Sequence, residues 1–91
     1  MIYEVRLSRQ ADDDLAKLAK NEPKVFAKAY RLLKELAVHP KTGIGHPEPL
    51  KGHPTNRWSR ELSKKHRMVY RIFEQEVFVE VLAAYGHYDD K

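Results

Sequence analysis

Four of the five prolines and three of the four glycines of this 91-residue chain fall between Pro40 and Asn56. A stretch so rich in both cannot run as regular helix or as a central strand, because proline withholds a backbone donor and glycine loses the most conformational freedom on ordering. The segment therefore divides the chain into two halves that follow different periodicities. It is itself predicted to be a long loop, and such loops inside a compact domain are uncommon unless they bind something or move.

Before the break, Tyr3, Val5 and Leu7 alternate with Glu4 and Arg6, which predicts a strand over Met1 to Leu7 with one face on a core. Ser8 reads as the N-cap of a short helix. Asp12, Asp13 and Asp14 lie early in it and Lys17 and Lys20 late, matching the sign of the helix dipole, with Ala11, Leu15 and Leu18 as its apolar stripe. Asn21 is placed to cap a second helix, and Pro23 is tolerated in the first turn, where an amide hydrogen has no partner to lose. Val25, Phe26, Ala29, Leu32, Leu33 and Leu36 recur at helical spacing, so this helix is expected to pack one face on a sheet and to stop near His39-Pro40.

After the break the period changes to 2. Strands are predicted near Arg57–Leu62, His66–Phe73 and Val77–Ala84, joined by Ser63-Lys64-Lys65 and Glu74-Gln75. Met68, Tyr70 and Ile72 share one face of the middle strand, and Arg67, Val69 and Arg71 share the other. Trp58 and Tyr70 read as core or cross-strand residues. The expected architecture is a single domain over residues 1–91 of the α+β class, in the order β-α-α-β-β-β. Two helices pack on one face of a mainly antiparallel four-stranded sheet and leave the other face open to a ligand.

Charge narrows what that ligand can be. The chain carries a net +4, yet residues 41–71 hold eight Lys or Arg against Glu48 and Glu61, or +6, which leaves −2 for the rest. A basic block of this kind attracts polyanions, so nucleic acid or an acidic protein is the implied partner. With no cysteine, disulfides and thiolate metal sites are excluded. No apolar run approaches the ~18 residues of a membrane span, and MIYEVRLSRQ lacks a signal-peptide core, so a soluble cytoplasmic protein is expected. The five histidines form no helical pair three or four apart, and no glycine-rich phosphate fingerprint lies between a strand and a helix. Neither a metal nor a cofactor is expected.

RNA cleavage requires neither when the 2′-hydroxyl beside the scissile phosphate is the nucleophile. The protein then supplies a base for that hydroxyl, an acid for the leaving 5′ oxygen, and cations for the extra charge on phosphorus. Candidates for each role are present. On the residues alone, Glu48 is a solvated loop acid or a base, and His87 a tail histidine or a proton donor. Arg67 and Arg71 are solvating arginines or phosphate ligands.

Four motifs in order bear on Glu48, His87 and Arg67: GIGHPEPLKG at Gly43–Gly52, RWSRE at Arg57–Glu61, HRMVYRI at His66–Ile72 and GHY at Gly86–Tyr88. Together they resemble the Txe/YoeB toxins of the RelE superfamily, over nearly the whole chain, while Arg71 gains nothing from its family position. The resemblance implies a RelE-like toxin: a ribosome-dependent mRNA interferase that inhibits translation and is silenced by a cognate antitoxin. It implies Glu48 as general base, His87 as general acid, Arg67 as transition-state stabiliser and Tyr88 as an aid to positioning or proton transfer. Lys51 and Arg60 would contact the RNA backbone, and Lys64, Lys65 and Arg71 extend that basic surface. The implied products carry a 2′,3′-cyclic phosphate and a 5′-hydroxyl.

The chain departs from the family pattern at His46, where lysine is usual, at Glu61, where a second arginine is common, and in the turn His53-Pro54-Thr55-Asn56. A homodimer is left open. Two other functions are compatible with the same fold: a ParE-like inhibitor of DNA gyrase, and a non-catalytic nucleic-acid-binding module.

Overall fold

The computed structural model describes residues 2–51 and 56–86. Its elements run β1 (Glu4–Leu7), α1 (Arg9–Asn21), α2 (Pro23–Leu36), β2 (Glu48–Pro49), β3 (Arg57–Glu61), β4 (Arg67–Phe73) and β5 (Phe78–Ala83). The strands form one sheet in the order β1-β5-β4-β3-β2, with β1 parallel to β5 and every other pairing antiparallel. The α+β expectation therefore holds, with one difference. Two residues of the long loop, Glu48 and Pro49, pair with Ser59 and Trp58 and add a fifth strand at the edge, a position where a proline costs no ladder hydrogen bond.

Local chemistry accounts for the helix ends. Ser8 is extended, and its Oγ accepts the Ala11 N–H at 3.0 Å, as an N-cap should. The same hydroxyl donates to the Leu82 carbonyl at 2.9 Å, and the β4–β5 register shifts beside it, between Val69 and Tyr70. At the helix–helix junction the expected cap is displaced. Asn21 is the last residue of α1, and Glu22 links the helices, with Pro23 opening α2. Glu22 makes no capping bond because its carboxylate is engaged by His66. Helix α2 stops at Leu36, and a turn bonded to the Glu35 carbonyl carries the chain to His39.

The core lies between the helices and one sheet face. Ala11, Leu15 and Leu18 of α1 and Ala29, Leu32 and Leu36 of α2 meet Met68, Tyr70 and Ile72 of β4 and Val79 and Val81 of β5. Period 2 then directs Arg67, Val69 and Arg71 to the other face, where cross-strand pairing sets Arg67 beside Glu61, Val69 beside Ser59 and Arg71 beside Arg57. This face is not flat. Ser59 and Val69 are buried at its centre, lying low between longer side chains.

Candidate active site

Glu48 projects onto this second face, one strand outward from Ser59. Its Oε1 lies 3.7 Å from Nη1 of Arg67, so the two side chains reach toward each other over β3. The carboxylate is well exposed and the separation exceeds a hydrogen bond, so this contact contributes little to stability. Its meaning is positional: a carboxylate and a guanidinium share one opening. Pro47 and Pro49 stiffen the chain on both sides of Glu48 and hold it there.

The C-terminal chain arrives at the same place. Gly86 donates its N–H to His66 Nδ1 at 2.8 Å, and its carbonyl accepts the Arg67 N–H at 3.0 Å. Its φ of +84° is a conformation that favours glycine. Since Nδ1 is an acceptor, the His66 proton resides on Nε2 and is donated to Glu22 Oε2 at 2.6 Å. Asp14 holds the preceding residues: its buried carboxylate accepts the Ala84 N–H at 2.9 Å and the Gln10 amide at 2.7 Å. The expected acid His87 and its neighbour Tyr88 lie outside the described residues, directly after an anchored Gly86.

Arg60 requires a correction. Expected to touch RNA, it is fully buried on the helix side of the sheet. Its guanidinium donates to Tyr70 Oη (3.1 Å), Glu35 Oε1 (2.5 Å) and the carbonyls of His39 (2.5 Å), Thr42 (2.8 Å) and Ile44 (3.3 Å). All its donor nitrogens are engaged inside the fold, and it organises the loop that leads to Glu48. Lys51 and Lys64 are exposed, and Lys65 is exposed with its Nζ 3.9 Å from Glu22. Arg71 lies on the Glu48 face, partly buried.

Sequence reasoning passed over His66, Asp14 and Glu22 as positioning groups. Asp14 belongs to a run of three acids that suits the helix dipole, yet it falls three residues after Ala11 and one before Leu15, on the apolar stripe. That placement was a usable signal. For His66 and Glu22, 44 residues apart, no local pattern existed.

Tyr70 donates to the Pro40 carbonyl at 2.8 Å while accepting from Arg60. Burial raises its phenol above the ordinary 10.0, and the Arg60 hydrogen bond and charge oppose that shift. A group raised on folding contributes stability that is present below its unfolded value and lost as pH climbs through the folded one. Urea melts are therefore expected to show stability falling above about pH 10, with the fall blunted in Tyr70→Phe, which also loses about 1 kcal/mol at neutral pH.

Comparison with known proteins gives the family. The family described as "YoeB-like toxin of bacterial type II toxin-antitoxin system" matches residues 7–88. The chain belongs to this family of toxins. It is 37% identical over 76 residues to the Toxin YoeB of Streptomyces coelicolor, covering 84% of this chain and 88% of that one. Among solved structures it superposes on a YoeB/ParE toxin from Agrobacterium tumefaciens with a TM-score of 0.85 at 29% identity, over 93% and 99% of the two chains. A YoeB–YefM complex from Staphylococcus aureus is similar with a TM-score of 0.78 at 29% identity, over 97% of this chain and 100% of that one. In this YoeB-like chain the second sheet face, bearing Glu48 and Arg67, is the candidate site. No helix among the described residues is long and apolar enough to cross a membrane.

Proposed function

We propose that this YoeB-like toxin is a ribosome-dependent endoribonuclease of the cytoplasm that cuts mRNA by 2′-hydroxyl attack. The observation that carries the reading is the approach of Glu48 to Arg67 within 3.7 Å on an open, basic face. Glu48 takes the proton of the 2′-hydroxyl as its oxygen attacks phosphorus. Arg67 stabilises the charge that collects on the non-bridging oxygens. The bond to the 5′ oxygen breaks as His87 protonates it, leaving a 2′,3′-cyclic phosphate and a 5′-hydroxyl, and Tyr88 positions the phosphate. Lys51, Lys64, Lys65 and Arg71 hold the backbone without reading bases, so the ribosome presents the codon to be cut.

By analogy with the YoeB–YefM complex, a cognate antitoxin binds this chain and silences it, with an acidic or amphipathic segment covering the basic face. Produced without that partner, the chain is expected to arrest growth, and Glu48→Ala or His87→Ala to relieve the arrest while thermal melts remain those of a folded protein. Primer extension on ribosome-bound mRNA is expected to show new 5′ ends. A gyrase cleavage-complex assay run beside it is expected to be silent; the reverse pattern assigns the chain to gyrase inhibition and removes the nuclease reading. Undiminished cleavage by His87→Gln would remove the acid assignment alone.

A further inference from the structure

Two arginines stand directly opposite each other on the face that bears Glu48. Arg57 of β3 is the register partner of Arg71 of β4, and like charges so placed repel unless something negative lies between them. Both Nε atoms are buried with no hydrogen-bond partner, and so is the hydroxyl of Ser59, two residues further along β3 on the same face. Glu80 is paired with Arg71 from the β5 side, yet no ion pair joins the two among the described residues. Arg71 is instead held from behind, its guanidinium 4.7 Å from the Phe73 ring centre, and Phe73 in turn stacks on Phe78 at 4.4 Å. Two unpartnered guanidinium nitrogens and a hydroxyl on one sheet face, with one arginine held by an aromatic pair, have the donor chemistry of a phosphate cradle.

We propose that Arg57 and Arg71, with the Ser59 hydroxyl between them and Glu48, form a second phosphate-binding subsite for the RNA strand whose reacting linkage lies at Glu48 and Arg67. The inference rests on the endonuclease reading for its ligand and goes beyond it in adding Arg57 and Ser59 and a direction. Arg67 and Arg71 are four residues apart on one face of β4, about 13 Å at strand rise, far enough for each to hold a linkage of its own. The strand runs along β4, and a phosphate some way from the cut anchors it. An arginine fork satisfies phosphate oxygens two at a time, and the Ser59 hydroxyl supplies a further donor. The Glu61↔Arg67 pair at the other end of β4 is charge-balanced; the Arg57↔Arg71 pair is not.

The subsite is tested by binding of single-stranded oligoribonucleotides to the Glu48→Gln protein, which keeps the RNA intact, with a dinucleotide and a hexanucleotide as probes. The hexanucleotide is expected to bind more tightly. Arg57→Gln and Arg71→Gln, made singly and together, are expected to remove most of that length-dependent gain, about ten-fold in Kd. They are also expected to reduce the slope of log K against log salt by about 0.7, the value for one phosphate on a single strand. Thermal melts and binding of the antitoxin are measured on the same variants.

A double variant that stays folded and keeps both the length gain and the salt slope overturns the subsite, as does one whose only loss is antitoxin affinity, which assigns the pair to protein recognition. The endonuclease reading fails separately. If the chain with Glu48 intact leaves ribosome-bound mRNA uncut while Arg57 and Arg71 still govern hexanucleotide binding, the cradle stands and the nuclease does not.

Discussion

Replacing Arg60 by leucine is expected to lower the unfolding free energy by roughly 3–5 kcal/mol, the cost of removing one member of a buried ion pair. At roughly 4–8 °C per kcal/mol for a domain of this size, the melting temperature would fall by more than about 12 °C. The substitution deletes five hydrogen bonds and leaves the Glu35 carboxylate and the Tyr70 phenol without their main donor. Arg60→Lys is not expected to rescue it, since one ammonium cannot reproduce a planar fork that meets a phenol, a carboxylate and three carbonyls at once. The loop responds with it. Glu35 Oε1 also accepts the Ile44 N–H at 2.9 Å, and Gly43, at φ +119°, passes so close that an added Cβ would lie 1.8 Å from that same oxygen. A thermal melt of Arg60→Leu checks the claim; unchanged stability with weakened RNA binding would return Arg60 to the role of phosphate ligand.

The second large effect is on rate. Glu48→Gln is expected to reduce cleavage by about 10²–10⁴-fold, the usual contribution of a positioned base, with stability changed by less than about 1 kcal/mol. Arg67→Ala is expected to cost about 10²–10³-fold through lost stabilisation of the transition-state charge. Single-turnover cleavage and urea melts on the same preparations separate these effects from unfolding. A comparable loss of stability in Glu48→Gln would mean that the acid serves the fold and not the reaction.

These two residues show what the sequence could and could not convey. Period-2 alternation placed Tyr70 in the core and Arg67 on the opposite face, because strand geometry is local and leaves its mark on consecutive residues. The Pro-rich segment marked Glu48 as standing on an unusual loop, but not that Glu48 and Pro49 would join the sheet edge, a pairing that depends on a strand beginning eight residues later. Arg60 was legible in principle: it alternates in phase with Trp58, which reads as a core or cross-strand residue, and its register partner is Met68 on the core face of β4. Charge and motif position outweighed that phase, and wrongly. The His66–Gly86 and Asp14–Ala84 anchors were not legible, since each depends on contacts 20 and 70 residues apart that only the assembled fold creates.

In the proposed reaction Glu48 and Arg67, joined by His87, act on a 2′-hydroxyl. This is tested most directly with ribosome-bound mRNA in which a single 2′-deoxynucleotide replaces the ribonucleotide on the 5′ side of the cut. The unmodified message is expected to be cleaved to a 2′,3′-cyclic phosphate and a 5′-hydroxyl, and the modified message to survive at that linkage while remaining bound. Continued cleavage at the 2′-deoxy position would show that the nucleophile comes from elsewhere and would rule out 2′-hydroxyl attack.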